Sequence, residues 1–79
     1  MKYAVTYNVG KIPFRFVSDN VHKIYEAVCE IIDTNKLMYP DQDKAKNNFF
    51  LVCANIAAGE MLSHENFMFR VERIDDTNN

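Results

Sequence analysis

Apolar and polar residues alternate from Lys2 onward, with Tyr3, Val5, Tyr7 and Val9 on one side of the chain and Ala4, Thr6 and Asn8 on the other. A period of two predicts a half-buried β-strand. The residues at 8–11, Asn-Val-Gly-Lys, supply turn chemistry, with Gly10 free to take a positive φ. The alternation then resumes, Ile12, Phe14 and Phe16 against Pro13, Arg15 and Val17, so the opening reads as a β-hairpin. Pro13 has no N–H for a ladder, which places the second strand at a sheet edge or starts it there.

The period changes after Ser18, Asp19 and Asn20, three good helix-capping residues in a row. Val21, Ile24, Tyr25, Val28, Ile31 and Ile32 recur at helical spacing, which predicts an amphipathic helix over 19–34. His22, Lys23, Glu26, Glu30 and Asp33 fall on its water-facing side, and Cys29 lies beside the apolar stripe. A connection over 35–39 leads to Pro40, which suits a first helical turn. The second helix is predicted from there to Ala58, with Gly59 as its stop, or onward to Leu62. Asp41 and Asp43 complement the positive end of its dipole.

The second helix is too apolar for one buried stripe. Nine of the ten residues at 49–58 are apolar, with Asn55 the exception, and only a narrow polar strip runs through Lys44, Asn48 and Asn55. Such a helix needs cover on two sides. After 63–66, Phe67, Phe69 and Val71 alternate with Met68, Arg70, Glu72 and Ile74, a last strand. The order β-β-α-α-β predicts a two-layer α+β domain over 1–74, with both helices on one face of a three-stranded sheet. Residues 75–79 are expected to form a disordered acidic tail.

With 79 residues, 48% of them hydrophobic, and only two Gly and two Pro, the chain is a single small folded domain. The opening residues lack the apolar stretch of a secretory signal, and two cysteines make no disulfide scaffold, so the expected location is the cytoplasm. No apolar run is long enough for a membrane span. Nine Asn, six Ile and an excess of Lys over Arg point to an AT-rich bacterial or phage genome.

Candidate chemistry is sparse. Gly-rich phosphate loops, nucleophile elbows, His-Glu-x-x-His pairs and Cys-x-x-Cys motifs are all missing, so the expectation is a protein that is not an enzyme and takes no cofactor or metal. His22 and Glu26 stand one helical turn apart, but read as a solvated face rather than as metal ligands. Cys29 and Cys53 read as core residues.

Charge says more. The strand segments carry Lys2, Lys11, Arg15, Arg70 and Arg73 against Glu72, whereas the first helix carries Asp19, Glu26, Glu30 and Asp33 against Lys23. With a net charge of -2, bulk attraction to nucleic acid is excluded, although a local basic face at Arg15, Arg70 and Arg73 remains open as an anion or nucleic-acid site.

The stretch Met1-Lys2-Tyr3-x-Val5, followed by a second strand and a capped helix, resembles the start of the HicB-type antitoxins, which set a small sheet against helices. The resemblance stops at those elements. The Pro-Asp-Leu-Pro-Gly-like segment expected after the second strand and a DNA-binding tail are missing, so no function is carried over.

The expectation is therefore a small cytoplasmic interaction module, a regulator or stoichiometric inhibitor of another macromolecule, such as a phage or mobile-element antagonist of host defence. Phe50, Leu51, Ala54 and Ala58 are the candidate homodimer contact, and Glu26, Glu30 and Asp33 the candidate face toward an unidentified partner protein. The alternative is a monomer in which the first helix and the 36–39 connection cover the second helix. A binder of nucleic acid or a small anion at the arginines is the other functional class.

Overall fold

A computed structural model describes residues 2–7, 14–66 and 68–74. Met1, the expected turn at 8–11, Ile12, Pro13, Phe67 and the expected tail at 75–79 lie outside the described residues. Strand β1 (Lys2–Tyr7) and strand β2 (Phe14–Ser18) pair antiparallel, with Val5 opposite Phe16 and Tyr7 opposite Phe14. Helix α1 (Val21–Thr34) follows. Of the three capping candidates it is Asn20 that starts the helix, its side-chain oxygen accepting from the His22 N–H at 2.9 Å.

Helix α2 (Gln42–Ala57) begins two residues later than the Pro40 reading requires. Asp41 is not a first-turn acid but the cap itself, its carboxylate accepting from the Lys44 N–H at 3.1 Å. The helix ends as the glycine predicts. Gly59 takes φ of 83°, its N–H donates to the Ile56 carbonyl, and the Glu60 N–H donates to that of Asn55, which satisfies two of the last carbonyls.

Among the described residues the sheet has four strands, not three, in the order β2-β1-β4-β3 and antiparallel throughout. The additional strand β3 (Ser63–Glu65) occupies a segment expected to be a loop. It is short and polar, so it carries no alternation of apolar residues, and its pairing with β4 (Phe69–Ile74) is a backbone matter. Asn66 makes the corner between them: its side-chain oxygen accepts from the Met68 and Phe69 N–H groups at 2.8 and 2.9 Å. That corner also moves the start of β4 from the expected Phe67 to Phe69, and Met68 enters the core rather than the outer face of the sheet.

Both helices pack on the sheet face that carries Tyr3, Val5, Phe69 and Val71, with Ile24, Val28, Ile31 and Ile32 from α1 and Phe49, Cys53 and Ile56 from α2 completing one core. The α+β class and its two layers stand as read from the sequence. Helix α1 lies over β1 and β2, and α2 lies toward β4.

Candidate interaction surfaces

Three surfaces carry the residues singled out by the sequence. The first is the outward side of α2. Phe50 is 54% exposed and Leu51 61% exposed, Ala54 and Ala58 are exposed beside them, and Leu62, just past the helix, is 67% exposed. Helix α1 and the 35–39 connection therefore leave this side uncovered within the chain. No Asp, Glu, Lys, Arg or His occurs at 47–59, so the polar edge of this side is formed by amides, Asn47, Asn48 and Asn55, all exposed.

Tyr25 of α1 meets Phe50 edge-on, with ring centroids 5.5 Å apart, and closes the side nearest α1. Between the two helices Val21, His22, Tyr25, Phe50, Cys53 and Ala54 line a mainly apolar groove of about 170 Å³. Burial pushes the Cys53 thiol up to about 11, so near neutral pH it is a protonated apolar group and not a nucleophile. A side-chain hydrogen bond with Cys29, helped by burial, raises the Tyr25 phenol as well.

The acidic face of α1 is the second surface, and the structure divides it. Asp33 is 2.8 Å from Lys46 of α2, an ion pair between the helices. Glu26 lies 3.6 Å from His22 on the helix surface. Glu30 is exposed and, with Glu26, Lys23 and Ala27, lines a groove of about 360 Å³ against Phe14 and Phe16 of β2. Past Phe14 a second hollow of about 290 Å³ continues along Tyr7, Ala27, Glu30, Ile31 and Thr34. Phe14 has the parity of a core residue but is 50% exposed, because β2 is an edge strand and α1 does not reach beyond it.

The outer face of the sheet is the third. Thr6 of β1 stands opposite both Arg15 and Arg70, so the two arginines flank it in one row across three strands. Arg15 donates to the Thr6 hydroxyl at 3.1 Å, and Glu72 lies 3.5 Å from Arg15 and 3.7 Å from Arg70. One carboxylate thus sits between the two guanidinium groups. Arg73 does not join them: it faces the helix layer, where its Nη1 is 3.6 Å from the position a Cβ on Gly59 would take.

The α2 side was legible in the sequence as an excess of apolar residues, whereas the groove between β2 and α1 was not. Its floor residue Phe14 obeys the same alternation as buried Val5, and only the strand order separates them. Among the described residues no three His, Cys, Asp or Glu side chains gather as metal ligands do, and no helix is long and apolar enough to cross a membrane. Compared with protein-family models, with curated proteins and with solved structures, the chain shows no match in any of the three.

Proposed function

We propose that this chain is a non-catalytic interaction module that forms a homodimer through α2 and acts in the cytoplasm as a regulator or stoichiometric inhibitor of another macromolecule. The supporting observation is the uncharged, apolar and exposed side of α2. A two-fold contact pairs a patch with itself, so a charge lying near the axis would face its own copy, and any other charge would have to be desolvated or matched by an opposite one in the same patch. The stretch at 47–59 carries no charged side chain and so largely escapes that cost, with Asp43, Lys44 and Glu60 exposed only at its two ends. The large residues Phe50 and Leu51 stand beside the small Ala54 and Ala58, which gives a second copy ridges and a shelf to fit.

The test is the mass in solution by light scattering, for the parent chain and for Leu51→Glu. Leu51 is 61% exposed, so the variant is expected to fold normally by circular dichroism while a dimer falls to chain mass. A parent chain that is monomeric at every concentration, or a Leu51→Glu variant that stays dimeric, overturns the α2 contact. Binding of nucleic acid or a small anion at Arg15, Arg70 and Arg73 has less support, because Glu72 lies between two of these residues and the third faces the other way.

A further inference from the structure

We infer that the cleft between β2 and α1 takes an extended segment of a partner protein, added to the sheet as a fifth strand beside β2, with Lys or Arg side chains directed at Glu26 and Glu30. The inference rests on the interaction-module reading but not on the α2 contact, and it gives the partner face a location and a chemistry.

Backbone comes first. β2 is the outermost strand, with β1 on one side and no described strand on the other. In an antiparallel pair every second residue turns its N–H and C=O away from the neighbour, so the outer edge of a five-residue strand offers a short ladder to an incoming chain. The other edge, β3, is only three residues long. Strand addition to such an edge is an established way to hold peptides, with main-chain bonds for affinity and side-chain pockets for selectivity.

The cleft then supplies the pockets. An added strand would point alternate side chains toward the flank of α1 that carries Lys23, Glu26, Ala27 and Glu30. The two hollows succeed one another in a consistent direction, from Phe16 and Lys23 to Phe14, Glu30 and Thr34, so α1 and β2 run antiparallel along the cleft. Residues four apart on a helix are displaced by roughly 6 Å along its axis, and residues two apart on a strand by about 6.6 Å. Glu26 and Glu30 are therefore spaced to meet side chains i and i+2 of an extended segment. Phe14, Phe16 and Ala27 form the apolar floor over which the stems of those side chains would lie.

Charge fixes the class of occupant. Glu30 lines both hollows, Glu26 lines the first with an exposed histidine 3.6 Å away, and among the described residues Lys23 is the single cation in the lining. Asp33, held by Lys46, does not line the cleft. An acidic rim over an aromatic floor favours basic side chains and rejects acidic ones.

The experiment is selection of binders from a random linear peptide library displayed on phage, against the parent chain and against the Glu26→Lys, Glu30→Lys double variant. Both positions are exposed, so the variant is expected to keep its fold. Enriched peptides should carry Lys or Arg at alternating positions, and their synthetic versions should bind the double variant about tenfold more weakly or worse. N-methylation of one alternate set of peptide amides should abolish binding while methylation of the other set is tolerated.

The same peptides should bind Leu51→Glu as tightly as the parent chain. No enrichment, enrichment without alternating basic residues, tolerance of both methylated sets, or loss of binding in Leu51→Glu would each overturn the inference. A change in mass caused by the Glu26→Lys, Glu30→Lys pair would overturn it too, by showing that the cleft holds a second copy. None of these results decides whether α2 forms the dimer, which the mass of the Leu51→Glu variant reads separately.

Discussion

The Lys46 ammonium lies 2.8 Å from the Asp33 carboxylate and joins the last turn of α1 to the second turn of α2. The hydrogen bond to Asp33 raises the lysine above its ordinary 10.5. A folded-state value above the unfolded one means that the stabilisation is complete below pH 10.5 and disappears as pH rises through the raised value. Asp33→Asn is expected to lower the urea midpoint by a small amount at neutral pH, less at high salt, and not at all once Lys46 has lost its proton. Urea titrations across that pH range check all three.

Cys53 acts on stability earlier in the alkaline range. Burial, with a contribution from Cys29, moves its thiol from 9.0 to about 11, so between these values the unfolded chain gives up a proton that the native state retains. The unfolded state is favoured there, and stability falls as pH climbs from 9.0 toward 11. Cys53→Val, which keeps an apolar side chain in the core, should flatten that slope. The comparison is the change in urea midpoint across pH 9 for the parent and the variant.

Gly59 tests backbone strain without a steric clash. Its φ of 83° is unfavourable for a side-chain-bearing residue, while an added Cβ would meet Arg73 Nη1 at 3.6 Å, an ordinary contact. Gly59→Ala should therefore cost about 1 kcal/mol through φ alone. Gly59→Asn should cost less, since asparagine tolerates the left-handed region better. Thermal and urea unfolding of both variants will rank them.

Asn66 holds a corner with both ends of its amide. The oxygen accepts from two backbone N–H groups, and the Nδ2 donates to the Tyr39 hydroxyl at 3.2 Å. Asn66→Ala should cost about 1–3 kcal/mol, because partly buried backbone donors are left without an acceptor. Asn66→Asp retains the acceptor and should recover most of that loss. Hydrogen exchange at Met68 and Phe69 gives the local readout, expected to speed up in the alanine variant alone.

Much of the fold was legible because burial here follows simple periods. Tyr3 and Val5 recur at the two-residue spacing of a strand, although Ala4 between them is buried as well, and Ile24, Val28, Ile31 and Ile32 trace one helical stripe, so strand and helix could be assigned before any packing was known. Strand β3 was not legible, since Ser63, His64 and Glu65 pair through backbone groups, and the ring of His64 finds Phe49 at 5.6 Å only after folding. Asp41 illustrates a local ambiguity: Pro40 and Asp41 both suit a helix start, and the carboxylate bond to Lys44 decides between them.

The surfaces were legible in part. The apolar surplus of α2 was plain, yet which of its residues stay exposed depends on where α1 lies. Glu26, Glu30 and Asp33 looked equivalent on one helix, and they diverge because Lys46 comes from a different element.

The strand order has a consequence for how the chain acquires its shape. β1 is made first, but its partner on one side, β4, is the last element, with Lys2 opposite Ile74 and both helices in between. Without β4, the elements that precede it lack Phe69 and Val71, two fully buried residues of the core. Closing so long a loop is entropically slow, and no earlier segment contains the whole core. During synthesis the core-facing Phe49, Cys53 and Ile56 of α2 and the inner edge of β1 have no β4 to cover them until the second central strand is added.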